Sequence, residues 1–135
     1  MITLKIVTNA DIKFLFDLLE NRDPIANISH KKMPSYKQHT QFVKSKPYSK
    51  WYIISKEKEK IGSIYLSKNN EIGLSILKSE KIENIQKLAL DELIKKNPKK
   101  RFLANINPKN KNLISFFKKN DFKLIQYTFE KMKSL

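Results

Sequence analysis

Ile106-Asn107-Pro108-Lys109-Asn110-Lys111-Asn112-Leu113-Ile114-Ser115-Phe116-Phe117-Lys118-Lys119-Asn120-Asp121-Phe122 is the stretch from which the rest of the chain can be read. Its Asn-Pro pair stops the β-rich run Phe102-Leu103-Ala104-Asn105-Ile106, which reads as a strand. Beyond the proline, Leu113, Ile114, Phe116 and Phe117 recur at helical spacing, so a helix from Asn110 to Lys119 is predicted, with Asn110 placed to cap it. After the helix, Phe122-Lys123-Leu124-Ile125-Gln126-Tyr127-Thr128-Phe129 is expected to close the fold as a final strand.

Working back from there, Ile85, Leu88, Ala89, Leu90, Leu93 and Ile94 give a helix over residues 82–96, ended by Asn97-Pro98. Residues 51–55 and 60–66 are two β-rich runs around the charged turn Lys56-Glu57-Lys58-Glu59, and residues 71–77 supply a third strand of the meander. Gly62 and Gly73 lie inside these strands, where glycine points to a bulge or to a close approach of the backbone. At the front, Leu4 and Ile6 alternate as a first strand, and Thr8 or Asn9 caps a helix whose face is Ile12, Leu15, Phe16 and Leu19. Residues 21–34, with Pro24, His30 and Pro34, read as a loop or short helix, and Ser35 opens a second short helix that Pro47 closes. The order β-α-α-β-β-β-α-β-α-β, with no linker or repeat, predicts one α/β domain over residues 1–135.

Composition narrows the function. No apolar run reaches the roughly 18 residues of a membrane span, and Met1-Ile2-Thr3-Leu4-Lys5 opens an alternating strand rather than a signal peptide, so a soluble cytoplasmic protein is expected. With no cysteine and two histidines in different settings, no metal is expected. The formal net charge of +15 invites a nucleic-acid reading. Against it, only Arg22 and Arg101 of the 28 basic residues are arginine, which leaves 26 lysines, dispersed along the chain as solvated faces. A negatively charged small substrate is equally compatible with that charge.

The stretch 106–122 resembles the second cofactor motif of the GNAT superfamily of acyl-CoA-dependent N-acyltransferases, commonly V-N-P-x-N-x-x-S-I-x-x-Y-x-K-x-G-F. The strand-ending Asn-Pro, Asn110, the aromatic Phe117, Lys119 and Phe122 keep its spacing. Residues 51–77, with their Ile61-Gly62 and Glu71-Ile72-Gly73 pairs, are similar to the family's central strands. The resemblance implies the GNAT fold: a mixed central sheet with an antiparallel meander and helices on both faces. It also implies acetyl-CoA as acyl donor, no metal, and transfer of an acetyl group to the primary amine of a small molecule. Residues 33–42 and Trp51-Tyr52 resemble members found with surface-sugar biosynthesis, which suggests a nucleotide-linked amino sugar as acceptor, handled by a monomer or homodimer.

Residue by residue, the family's Q/R-x-x-G-x-G/A pyrophosphate loop falls on Lys81-Ile82-Glu83-Asn84-Ile85-Gln86, where Lys81 replaces the leading cation and neither glycine is kept. Asn84 tolerates positive φ, whereas Gln86 adds a side chain and Glu83 a carboxylate. The same segment also reads as a plain helix start, with Ser79 as N-cap and Glu80 and Glu83 in its first turn. Ile76, Leu77, Asn110 and Phe117 complete the implied cofactor set, Phe117 standing where the family often has a proton-donating tyrosine. Glu71 and His30 are the candidate bases, with His39 as a rival. Arg22, His39 and Tyr52 are assigned to the acceptor, Arg22 to a phosphate or carboxylate on it, with a surface ion pair to Asp23 or Glu20 as the alternative role of Arg22. The missing glycines and Phe117 equally suit a GNAT-like binding or regulatory domain without catalysis, and a basic nucleic-acid-binding domain is the remaining alternative.

Overall fold

The computed structural model describes residues 1–22, 33–77 and 81–133. Strand β1 (Ile2–Ile6) leads through a 3₁₀ turn (Asn9–Asp11) into α1 (Ile12–Glu20), followed by α2 (Tyr36–Lys44), β2 (Lys50–Lys56), β3 (Glu59–Leu66) and β4 (Glu71–Ile76). Then come α3 (Ile82–Lys96), β5 (Leu103–Ala104) and α4 (Lys111–Lys119). The sheet runs β1-β2-β3-β4-β5, antiparallel except for the parallel β4–β5 pair.

Local chemistry accounts for the boundaries. Thr8 and Asp11 form a reciprocal capping box, as do Ser35 and Gln38 at the start of α2. The β2–β3 hairpin turns on Glu57 and Lys58, whose φ values of 51° and 71° supply the two left-handed residues a tight hairpin requires. A bulge interrupts the register between Ile54 and Ser55, opposite Gly62, so the bulge expected of a strand glycine lies here. Gly73, by contrast, stays in regular register with Tyr65.

Alternation along the strands sends side chains to two layers. Leu4, Tyr52, Ile54, Ile64, Leu66 and Ile72 pack against Ile85, Ala89, Leu90 and Leu93 of α3 and against Phe116 and Phe117 of α4. On the opposite face, Ile53 and Trp51 meet Ile12, Leu15 and Val43 from α1 and α2. Each fully buried leucine or isoleucine in these layers contributes on the order of 1.5–3 kcal/mol.

Two expectations need correction. Residues 122–129 form no strand: Leu124, Ile125, Tyr127 and Phe129 are 54–90% exposed, and an alternating pattern becomes a strand only where a neighbouring edge takes up its hydrogen bonds. Residues 82–86 are not a loop but the first turns of α3, because Ile85 begins the apolar stripe that continues through Ala89, Leu90 and Leu93. Asn84 accordingly keeps a negative φ. Among the described residues, no helix is long and apolar enough to cross a membrane.

Candidate functional site

Strand β4 determines the site. Its pairing with β5 stops after Glu71↔Leu103 and Ile72↔Ala104, while its pairing with β3 continues to Ile76. The two strands therefore separate at their C-terminal ends, as a ligand cleft between them requires. The Leu77 amide donates to the Ile61 carbonyl at 2.8 Å, so alternation turns the backbone of Leu74 and Ile76 the other way, toward the cleft. Beyond the last β5 pair these polar groups form an open rung available to a ligand.

A cavity of about 1000 Å³ fills the gap and runs on to the α1–α2 side of the sheet. One end is walled by Ile76, Leu77, Ile82, Glu83, Gln86, Asn110 and Lys119. There the first amides of α3 have no partner one turn earlier in the helix, and the Lys119 ammonium lies 3.4 Å from the Glu83 carboxylate. Asn110 does two things: its side-chain oxygen accepts from the Leu113 amide at 3.3 Å, capping α4, and it lines the cavity. Phe117 forms part of the wall from within the core, 4% exposed and in edge contact with Phe116 and Phe122.

Where the resembled motif has glycine after that helix, Asp121 takes φ 70°. The Phe122 amide donates to the Phe117 carbonyl at 3.0 Å and the Asp121 amide to Lys118 at 3.3 Å, a complete Schellman stop sealed by the Phe117–Phe122 contact.

The other end is aromatic. Tyr48 and Tyr65 stack with centroids 3.8 Å apart and planes 3° apart, and Trp51 sets its edge to Tyr48 at 4.8 Å, with Phe42 behind both. Gly73 makes this possible: a Cβ there would collide with the Tyr65 ring. Burial raises the Tyr48 and Tyr65 phenols above their ordinary value near 10, the mutual hydroxyl contact adding to the rise at Tyr48. Arg22, at the end of α1, lines the same end; burial lowers its pKa while the two tyrosines oppose the shift. His39 is buried, with Nε2 3.3 Å from the Ile12 carbonyl, and burial holds its imidazole below the usual 6.5. A carbonyl only accepts, so that contact assigns the proton to Nε2 and leaves Nδ1 with a lone pair at neutral pH.

The cavity thus brings together Arg22, His39, Ile76, Leu77, Ile82, Glu83, Gln86, Asn110 and Phe117. Lys81 and Asn84 are exposed and outside its lining, and Ile85 is in the core. Tyr52 is also set apart: it is buried on the α3 face, where its hydroxyl accepts from Asn97 at 3.0 Å. Glu71 does not reach the lining; its carboxylate accepts from Ser67 and from Asn105, and Asn105 is the residue that faces the cavity. His30 lies outside the described residues. Sequence reasoning misses the pairing of Tyr48 with Tyr65: the two-residue turn at Glu57-Lys58 alone would set Trp51 opposite Ile64, and the bulge between Ile54 and Ser55 is what moves it opposite Tyr65.

The same architecture occurs in solved acetyltransferases. The spermidine/spermine N-acetyltransferase SpeG from Vibrio cholerae superposes with a TM-score of 0.67 at 16% identity over 87% of this chain and 77% of that one. The fold is that of the GNAT acetyltransferases. RimL, a ribosomal α-N-protein acetyltransferase in complex with coenzyme A, matches with a TM-score of 0.70 at 14% identity over 93% of this chain and 81% of that one. AAC(6')-Ib in complex with paromomycin and acetyl-CoA gives 0.63 at 20% identity over 87% and 80%. No family model and no curated protein sequence matches the chain.

Proposed function

We propose that the protein is an acyl-CoA-dependent N-acetyltransferase that acts on the primary amine of a small molecule, with a nucleotide-linked amino sugar as a candidate acceptor. The observation that carries this reading is one cavity joining the unpaired edge of β4 and the start of α3 to an aromatic end over β3. A cavity near the upper end of the usual range for a single ligand, about 1,000 Å³, has room for a donor tail and an acceptor.

The residues present suit acetyl-CoA. The Leu74 and Ile76 backbone would pair with its extended amide arm, and the amides of Ile82, Glu83 and Asn84 with Lys119 would hold its pyrophosphate. Once bound there, acetyl-CoA supplies an activated acetyl group. The chain's own part is to orient the amine and take its proton. His39 is the base we favour, because burial keeps it neutral and its Nδ1 carries a lone pair. Glu71 acts through Asn105 as a positioning group. Asn110 fixes the start of α4 at the donor end, and Phe117 shapes the wall without giving a proton.

The buried Phe117 and the Glu83 and Gln86 side chains in the cleft favour a second reading, a GNAT-like binding domain without turnover. Two measurements separate the two. Titration calorimetry with acetyl-CoA should show binding, and no heat at millimolar ligand would remove the enzyme reading. Thiol release from acetyl-CoA over an amine panel then reports turnover against no background from the protein, which has no cysteine. Binding without turnover would favour the binding domain.

A further inference from the structure

After α4 the chain runs from Phe122 to Lys133 with neither a turn nor a bend. Its exit is fixed, because the Asp121 and Phe122 amides are both bonded back to the last turn of the helix. Beyond that point, residues 123–129 make no backbone hydrogen bond with any described residue. In an extended segment Ile125, Tyr127 and Phe129 fall on one side, and Leu124, Gln126 and Thr128 on the other. The Tyr127 and Phe129 rings stack at 6.3 Å and are 75% and 90% exposed. An apolar ridge on unpaired extended backbone is a strand that lacks a sheet.

Its complement is on the same chain. Strand β5 ends the sheet and pairs with β4 alone. The Leu103 amide donates to the Asn70 carbonyl at 2.9 Å, so alternation turns the polar groups of Phe102 and Ala104 to the outer side, where no described strand meets them. Phe102, Ala104 and Ile106 are half-buried against the α3–α4 core, which is therefore open at this edge. The opposite edge is less suited, because β1 carries the exposed Lys5, a charge of the kind that discourages strand addition. From two residues of pairing, β5 also leads Asn105, Ile106 and Asn107 into the cavity wall, and a second neighbour would brace it there.

We propose that residues 123–129 pair antiparallel with the outer edge of β5 in a second copy of this chain, and that the exchange is reciprocal. Each copy has one unpaired strand and one open edge, so two copies related by a twofold axis satisfy both. Leu124 to Phe129 carries no charge in a chain with 28 basic residues, which suits a dry ladder and gives an acidic partner nothing to bind. The antiparallel sense keeps Lys123 away from Lys99-Lys100-Arg101, which parallel pairing would bring together. The four Tyr127 and Phe129 rings, at about 150–250 Å² each, amount with the matching area on the two receiving sheets to about 1,200–2,000 Å², the size of a stable interface.

Sedimentation of the full chain over a concentration series should show a dimer. It should tighten as salt rises, because screening relieves the repulsion between two copies of formal net charge +15. Tyr127→Lys with Phe129→Lys should raise the dimer Kd by about a hundredfold or more. Both side chains are exposed in the single chain, so this variant should melt with the parent at concentrations where both are monomeric. The chain has no cysteine, which allows the pairing to be mapped by cross-linking. Arg101→Cys and Thr128→Cys, made in separate chains, mixed and treated with a short bismaleimide, should give a covalent dimer holding one chain of each. A chain carrying both cysteines should likewise link between copies. A chain monomeric at every concentration and salt, or a dimer that survives Tyr127→Lys with Phe129→Lys, would overturn the proposal. So would Thr128→Cys chains that link only to one another, or a double-cysteine chain that closes the link within itself.

Discussion

The Tyr65 ring lies against the backbone of Gly73, its cross-strand partner, and occupies the space where any other residue would place a Cβ. This contact lays the ring flat on β4 and presents it to Tyr48 for stacking. Gly73→Ala forces the ring off the strand and separates the pair. Overpacking of this kind costs about 1–3 kcal/mol. Melting temperature should fall, and KM for the acceptor amine should rise more than the Kd for acetyl-CoA. Removing the ring in Gly73→Ala with Tyr65→Ala should recover stability relative to Gly73→Ala alone; a double variant no more stable than the single one would mean that the clash is not with Tyr65.

The Schellman stop of α4 gives a prediction of opposite sign. Asp121 takes φ 70° with its hydrogen bonds and the Phe117–Phe122 contact already made, so the left-handed backbone is the cost that remains. Glycine removes it. Asp121→Gly should stabilise the protein by about 1 kcal/mol, whereas Asp121→Val should destabilise it. Thermal or urea denaturation checks both, and equal stability of the two variants would count against the geometry.

Much of this molecule was legible in the sequence because its elements carry their own chemistry. Ser35, Thr8 and Asn110 cap where their side chains suggest, and the apolar spacings of α3 and α4 name the faces they bury. What failed depended on partners outside the segment. Residues 122–129 alternate as a strand does, yet Tyr127 and Phe129 are 75% and 90% exposed, since alternation describes a segment and pairing requires an edge. Residues 81–86 align with a glycine loop and also read as a helix start, and without glycine the run takes the second course, helical from Ile82 onward as its apolar spacing predicts. Of the candidate site, the backbone of β4 and the ends of α3 and α4 were legible. The Tyr48–Tyr65 stack was not, because it needs both the hairpin register and the bare surface of Gly73.

His39 predicts a pH dependence. Burial holds the folded imidazole below 6.5, with the hydrogen bond to Ile12 opposing. Well above 6.5 both folded and unfolded chains carry it neutral. As pH falls below about 6.5 the unfolded chain takes the proton first, so stability drops until the folded imidazole is protonated as well. His39→Gln should flatten that part of the stability curve between pH 7.5 and 5. A slope unchanged in the variant would assign it to other groups.

The Glu83–Lys119 pair joins the start of α3 to the end of α4 in the cavity wall, 3.4 Å apart and well exposed on both sides. As a surface pair it contributes little to stability, within about 1 kcal/mol. Its effect on an anion should be larger, because Glu83 both repels a pyrophosphate at the start of α3 and holds the ammonium that would attract it. Glu83→Gln removes the repulsion and frees Lys119 together, so acetyl-CoA should bind about three- to tenfold more tightly at low salt, with the gain fading as screening increases. Lys119→Gln should weaken binding by a similar factor. Because Gln86 follows Glu83 inside a regular helix, Gln86→Gly opens the same cleft only at a backbone cost of about 1 kcal/mol, and its gain in affinity should come with a lower melting temperature. Calorimetry at two salt concentrations distinguishes these outcomes. If Glu83→Gln and Lys119→Gln shift acetyl-CoA affinity in the same direction, or neither shift depends on salt, the pyrophosphate does not bind between these helices.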